Sequence, residues 1–140
     1  MVSRVGSNQF SKRMRLHADR FPVTASRIVK DAARAGLEAM ILNTRIDTSK
    51  MVSNWLVTRD GPSSDLIPAY AEGRKGSTGP MSVAAALAFG RAEIEDFDVR
   101  RDIDLFITNN TPYLRYQQGS QLTALGQAAA RAAIAGAKLF

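Results

Sequence analysis

The apolar positions of this chain follow two periods, and the switch between them divides it into elements. From Ile28 to Ile41, the residues Ile28, Val29, Ala32, Ala33, Gly36, Leu37, Met40 and Ile41 come in adjacent pairs at every fourth position. That spacing draws one apolar stripe along a helix, which Pro22 can open and which should end near Asn43 or Thr44. Arg27, Lys30, Asp31, Arg34 and Glu38 take the rest of its surface. Between Asp102 and Thr108 the period is two: Ile103, Leu105 and Ile107 alternate with Asp102, Asp104, Phe106 and Thr108, the pattern of a half-buried strand. Asn109, Asn110, Thr111 and Pro112 stop that strand, because asparagine tolerates unusual backbone angles and proline cannot donate to a ladder. An aromatic segment, Tyr113 to Tyr116, follows and is closed by Gly119.

The remaining elements are read from weaker signals. Arg45 to Lys50 forms a turn in which Asp47 and Thr48 can accept hydrogen bonds from backbone donors just after them. Met51 to Arg59 is a second strand candidate packed through Val52, Trp55 and Val57. Asp60 to Pro80 holds four Gly and three Pro and reads as a long functional or mobile loop, with a short extended piece at Pro68–Tyr70. Ser77 or Thr78 then caps a helix opened by Pro80 and running to about Phe97, with Val83, Ala84, Leu87, Ala88 and Ile94 as its stripe. Gln121 to Phe140 forms a last helix whose seam is Leu122, Leu125, Ala129, Ala132, Gly136 and Phe140, small enough to let backbones approach closely. Gln121, Gln127, Arg131 and Lys138 interrupt it, so it does not read as a membrane span. The order predicts an α+β fold: a long N-terminal amphipathic helix packed on a small, mostly antiparallel sheet, with additional helices. Residues 21–140 form a single domain behind a basic arm of residues 1–20.

Charge sharpens this picture. The whole net charge of +6 sits in residues 1–50, where ten Lys/Arg outnumber four acids. Lys12, Arg13, Arg15 and Arg20 on the arm could face DNA or a partner, since phosphate contacts need only charge and reach. The remainder is neutral, but Arg91 to Asp104 carries six acids and three arginines. Glu95, Asp96, Asp98, Asp102 and Asp104 are therefore candidates for a subunit interface with a basic neighbour.

Chemistry is harder to find. With no cysteine and only His17 as histidine, disulfides, thiolate sites and thiol nucleophiles are excluded, and histidine-based zinc sites and most triads have little support. The absence of cysteine fits a reducing compartment, and the first residues lack the apolar run of a signal peptide. Asp102 and Asp104 would share one strand face, yet that face should point to solvent, and Arg100 and Arg101 break any calcium-loop pattern. Gly73, Gly76 and Gly79 lack the Gly-Lys-Ser/Thr ending of a phosphate loop. No catalytic residue, metal or cofactor is read from the chain.

Two stretches carry a resemblance. One is the corner Ile46-Asp47-Thr48-Ser49, followed by Ser53-Asn54-Trp55. The other is Ile107-Thr108-Asn109-Asn110-Thr111-Pro112-Tyr113, followed by Gln117-Gln118-Gly119-Ser120. Behind a long amphipathic helix, in this order and spacing, they resemble the head-to-tail joining proteins of tailed bacteriophages, also called neck or tail-completion proteins. Ser49 stands where that family has glycine, and Gln118 where it has glutamate. The resemblance covers about Ile28 to Ser120 and makes Asp47, Thr48, Ser49, Trp55, Asn109, Asn110, Pro112, Tyr113 and Gly119 the structural motif residues. It implies a non-enzymatic virion protein, made in the bacterial host cytoplasm and placed in the neck. It further implies a homo-oligomeric ring, six-fold favoured and twelve-fold possible. Its neighbours would be portal, adaptor or stopper proteins and tail terminator or tail tube proteins, with genomic DNA passing through the lumen and no membrane. The alternative reading of the residues is a free basic nucleic-acid-binding protein, weakened because residues 1–50 interleave only Phe10 and Phe21 with their cations.

Overall fold

The computed structural model describes residues 21–102, 104–112 and 119–137. The basic arm, with Lys12, Arg13, Arg15 and Arg20, lies outside the described residues, as do Ile103, Tyr113, Gln118 and Phe140. Helix α1 spans Phe21–Asn43, with Pro22 in the first turn, where its missing N–H removes no intrahelical bond. The helix ends as the periodicity predicts. Thr44 Oγ1 turns back to donate to the carbonyl of Met40 at 2.6 Å, satisfying one of the last orphan acceptors. The indole Nε1 of buried Trp55 donates to that same hydroxyl at 2.8 Å.

Downstream come α2 (Lys50–Ser53), β1 (Leu56–Thr58), α3 (Gly79–Glu95), β2 (Phe106–Thr108) and α4 (Gly119–Ala135). The two strands pair antiparallel, with Leu56 opposite Thr108, Val57 opposite Ile107 and Thr58 opposite Phe106. The class is thus α+β, with a helical majority and a small antiparallel sheet. Leu37, Met40, Ile41, Val52, Trp55, Val57, Ala86, Ile94 and Leu122 form one buried cluster to which every one of these elements except β2 contributes, and Ile107 of β2 packs against it.

Several expectations shift. The stretch expected as a strand from Met51 begins instead with the one-turn helix α2, and only Leu56–Thr58 is extended. Met51 to Trp55 are all buried, so neither a helical nor a strand period can be read from them. The strand expected from Asp102 starts only at Phe106, because Asp102 belongs to a turn in which its N–H donates to the carbonyl of Asp98 at 2.7 Å. The α1 stripe was expected to lie on the sheet. Its main partner is α4 and its second is α3, with the sheet joining through Val57 and Ile107 and Trp55 just ahead of β1 beside them.

Glycine sets both helix contacts. A Cβ on Gly36 of α1 would stand 3.2 Å from the carbonyl oxygen of Gly126 on α4, and one on Gly126 would stand 2.8 Å from Met40 Cγ. A Cβ on Gly90 of α3 would come 2.5 Å from Leu37 Cδ2. The close approach foreseen for α4 is therefore real, but its seam is displaced. Leu122 and Gly126 are buried, whereas Leu125, Ala132 and Gly136 are exposed. Gly36→Leu would drive a side chain into backbone that has no room to move, and such overpacking costs about 1–3 kcal/mol or more. Chemical denaturation should show that loss, with Gly61→Ala as a neutral control because nothing lies within 4 Å of that position. A wild-type midpoint for Gly36→Leu would overturn the packing described.

Candidate functional site

The corner after α1 is built on a left-handed residue. Ser49 has φ 68°, a region that costs a residue with a Cβ roughly 1–2 kcal/mol and glycine almost nothing. Its hydroxyl lies 2.9 Å from Thr78 Oγ1, at the start of α3. Asp47 was expected to bond to donors just after it in sequence. It reaches across instead, accepting the N–H of Lys75 on Oδ1 and the N–H of Gly76 on its carbonyl, both at 2.8 Å. Thr48 keeps only a long 3.5 Å contact from the N–H of Lys50.

Past the corner, buried polar side chains hold the 60–80 segment in place of a sheet ladder. Asn54, fully buried, accepts the N–H of Ile67 at 2.8 Å and donates to the carbonyl of Ile67 at 2.9 Å. It thereby imitates a strand neighbour for that one residue. Its amide also donates to the carbonyl of Lys50 at 2.7 Å. Ser53 Oγ accepts the N–H of Tyr70 at 3.0 Å. Thr78 Oγ1 donates to the carbonyl of Ala71 at 2.6 Å, and Ser82 Oγ accepts the N–H of Ala71 at 3.2 Å. The long loop is thus pinned at Ile67, Tyr70 and Ala71. The sequence reading named Ser53 and Asn54 only as neighbours of Trp55 and missed this work. Buried Ser and Asn beside a loop rich in Gly and Pro were the available signal.

The second motif closes onto the first. Asn109 Nδ2 donates to the carbonyl of Met51 in α2 at 2.8 Å. Its Oδ1 accepts both the N–H and the hydroxyl of Thr111, at 3.1 and 2.7 Å. Asn110 Nδ2 donates to the carbonyls of Ser63 and Asp65, at 2.7 and 3.0 Å. Pro112 is exposed and Gly119 opens α4. Asp47, Ser49, Asn54, Asn109 and Asn110 therefore form one connected polar framework around α2.

The acidic strip has a different environment from the one expected. Arg59 on the sheet side lies 3.4 Å from Glu93, 2.6 Å from Asp96 and 3.9 Å from Asp102. Arg34 of α1 pairs with Glu95 and Asp31, and Arg91 with Glu38. Asp98 Oδ1 accepts the N–H of Arg100 at 2.9 Å. Asp102 is not on a solvent-facing strand face; its side chain is only 7% exposed. Its Oδ2 accepts the N–H of Asp98 at 3.0 Å and lies 3.1 Å from Arg101 Nη2. Arg101, ahead of the Asp98 N–H, holds this carboxyl below the ordinary value of 3.8. Asp104 is exposed. Among the described residues no group of three His, Cys, Asp or Glu is placed to hold a metal ion, and no helix is long and apolar enough to cross a membrane.

Comparison of the chain with protein-family models, with curated proteins and with solved structures gives no match.

Two measurements check this geometry. Ser49→Ala loses the Thr78 contact and keeps the strain, whereas Ser49→Gly loses the contact and relieves it. The glycine variant should therefore be the more stable by about 1–2 kcal/mol, and equal stabilities would remove the strained corner. Because the Asp102 carboxyl is depressed in the folded state, its stabilisation is complete above the ordinary value of 3.8 and is lost as pH falls through the lower folded value. Asp102→Asn should be less stable than the parent at neutral pH and lose less stability than the parent below pH ~4. Identical acid slopes would contradict that role.

Proposed function

We propose that this chain is a non-enzymatic structural subunit of the neck of a tailed bacteriophage, forming a ring with copies of itself that joins the DNA-filled head to the tail. The observation that carries the reading is the bonding between the two motif stretches. Asn109 reaches the α2 carbonyl of Met51 across 58 positions, and Asn110 holds the loop that follows the corner. Residues that make up the resemblance thus act together as one framework, which is what a shared fold requires of them. The left-handed Ser49 adds support, because it occupies the position that the family fills with glycine.

On this reading the framework is a scaffold and carries no reaction. Its partners are further copies of the chain, six-fold favoured and twelve-fold possible, with portal-side and tail-side neck proteins above and below. The reading is tested in particles. Phage lacking the protein should accumulate filled heads and separate tails, and a map of wild-type particles should place it as a closed ring between them. Joined particles without the protein would overturn the proposal, as would isolated copies in the map. Strongly salt-dependent DNA binding by the free protein, with particle joining unaffected, would favour the nucleic-acid-binding alternative.

A further inference from the structure

Helix α3 is apolar on two sides, and only one of them is used inside the subunit. Ser82, Ala86, Gly90 and Ile94 are buried on the inner side. Met81, Ala84, Ala88 and Ala92 recur at spacings of three and four, which places them together on the outer side with Phe89 beside them. All five are exposed. Gly79 to Gly90 carries no charged residue, and a helix that is apolar all round is normally a buried one. Met81 and Phe89 are 65% and 61% exposed, and Tyr70 stacks on Phe89 and widens the patch. With aromatic side chains burying roughly 150–250 Å² each, Phe89, Tyr70, Met81 and the alanines together offer about 400 Å² of apolar surface. A standard interface covers about 800 Å² per partner, a little over half of it apolar.

We propose that this face of α3 docks on the outer face of α4 in a second copy of the chain. Shape and charge both favour that occupant. The α3 face has large groups at Met81 and Phe89, about 12 Å apart along the helix at 1.5 Å per residue, with alanines between them. The outer face of α4 has the inverse form. Leu125 is 44% exposed and is followed by exposed Ala128 and Ala132. Leu125 enters the gap between Met81 and Phe89, and one of those two lies over the alanines of α4, as ridges enter grooves in helix packing. Arg131 is the single charge of α4, so the contact removes few charges from water. Because it joins unlike surfaces, it deepens the ring reading by naming the surfaces that meet, and it rests on that reading only for closure of the ring.

The test is sedimentation of the full-length protein over a range of concentrations. Wild-type protein should associate beyond a dimer as concentration rises. Phe89→Glu, Met81→Glu as a second variant of the same face, and Leu125→Glu should each weaken that association at least about tenfold, because a carboxylate enters an apolar contact. All three positions are exposed, so the core is left intact. An equimolar mixture of Phe89→Glu and Leu125→Glu decides the pairing. Each variant keeps the face that the other lacks, so the mixture should form a dimer that grows no further. A mixture that stays monomeric overturns the proposal. Wild-type association that Leu125→Glu leaves untouched also overturns it and marks two α3 faces meeting. Wild-type protein that stays monomeric overturns it too, and assigns the α3 face to a different protein. A closed ring in particles alongside any of these failures would leave the ring reading standing and sink this contact alone.

Discussion

The close approach of α1 and α4 at Gly36 and Gly126 fixes where everything else in this subunit can lie. With only a hydrogen on each Cα at the crossing, the carbonyl of Gly126 stands where a Gly36 side chain would begin. Met40 drapes over Gly126 from the next turn of α1. Once α1 is drawn against α4 along Gly36 and Met40, its neighbouring line through Leu37 and Ile41 faces α3, where Gly90 again leaves the space that Leu37 fills. The single stripe therefore serves two helices. The sheet, with strands of only three residues each, completes the core from one side through Val57 and Ile107, with Trp55 just ahead of β1.

A sheet so short cannot satisfy the backbone of the segment that follows it, and buried backbone groups must find partners. Side chains take over. Asn54 pairs both backbone groups of Ile67, Ser53 takes the N–H of Tyr70, and Thr78 and Ser82 take the carbonyl and N–H of Ala71. Each neutral bond of this kind contributes a net ~0.5–1.5 kcal/mol, but removing one partner exposes the full desolvation cost of the other. That asymmetry makes small buried polar residues the specifying groups of the 60–80 segment. It also explains how a stretch without strands of its own lies against the domain at defined points. Among the described residues the buried side-chain polar atom without a partner is Thr108 Oγ1, at the end of β2.

Residues whose partners are near in sequence were legible, and those whose partners are distant were not. The length and end of α1 follow from a stripe of eight apolar positions, and the start of α3 from Pro80. Helix α2 was hidden because Met51, Val52, Ser53, Asn54 and Trp55 are all buried, which erases any periodic signature. The alternation around Ile103 and Leu105 suggested a strand that starts four residues too early, since nothing local shows that Asp102 closes onto the Asp98 N–H. The motif asparagines were identified through the resemblance. Their partners are the carbonyls of Met51, Ser63 and Asp65, and backbone acceptors carry no sequence mark. Likewise Glu95 finds Arg34 at a separation of 61 positions, so its exposed appearance in sequence concealed an internal pair.

That internal pairing bears on how the proposed ring could hold. Glu93, Glu95, Asp96 and Asp102 already face Arg34, Arg59 and Arg101 within the subunit, which leaves less of the acidic strip to attract a neighbour's basic surface. Exposed ion pairs would add only ~0–1 kcal/mol each in any case, and salt screens them. Apolar side chains are the better resource. Met81 and Phe89 stand out from α3, with Tyr70 stacked on Phe89 at 5.2 Å, and Leu125 stands out from α4. These groups lie on different helices, and a contact joining unlike patches of identical subunits is the kind that propagates around a ring until rotation closes it. For a subunit with balanced charge beyond residue 50, the apolar faces of α3 and α4 would outweigh the acidic strip as the source of cohesion in the ring proposed above.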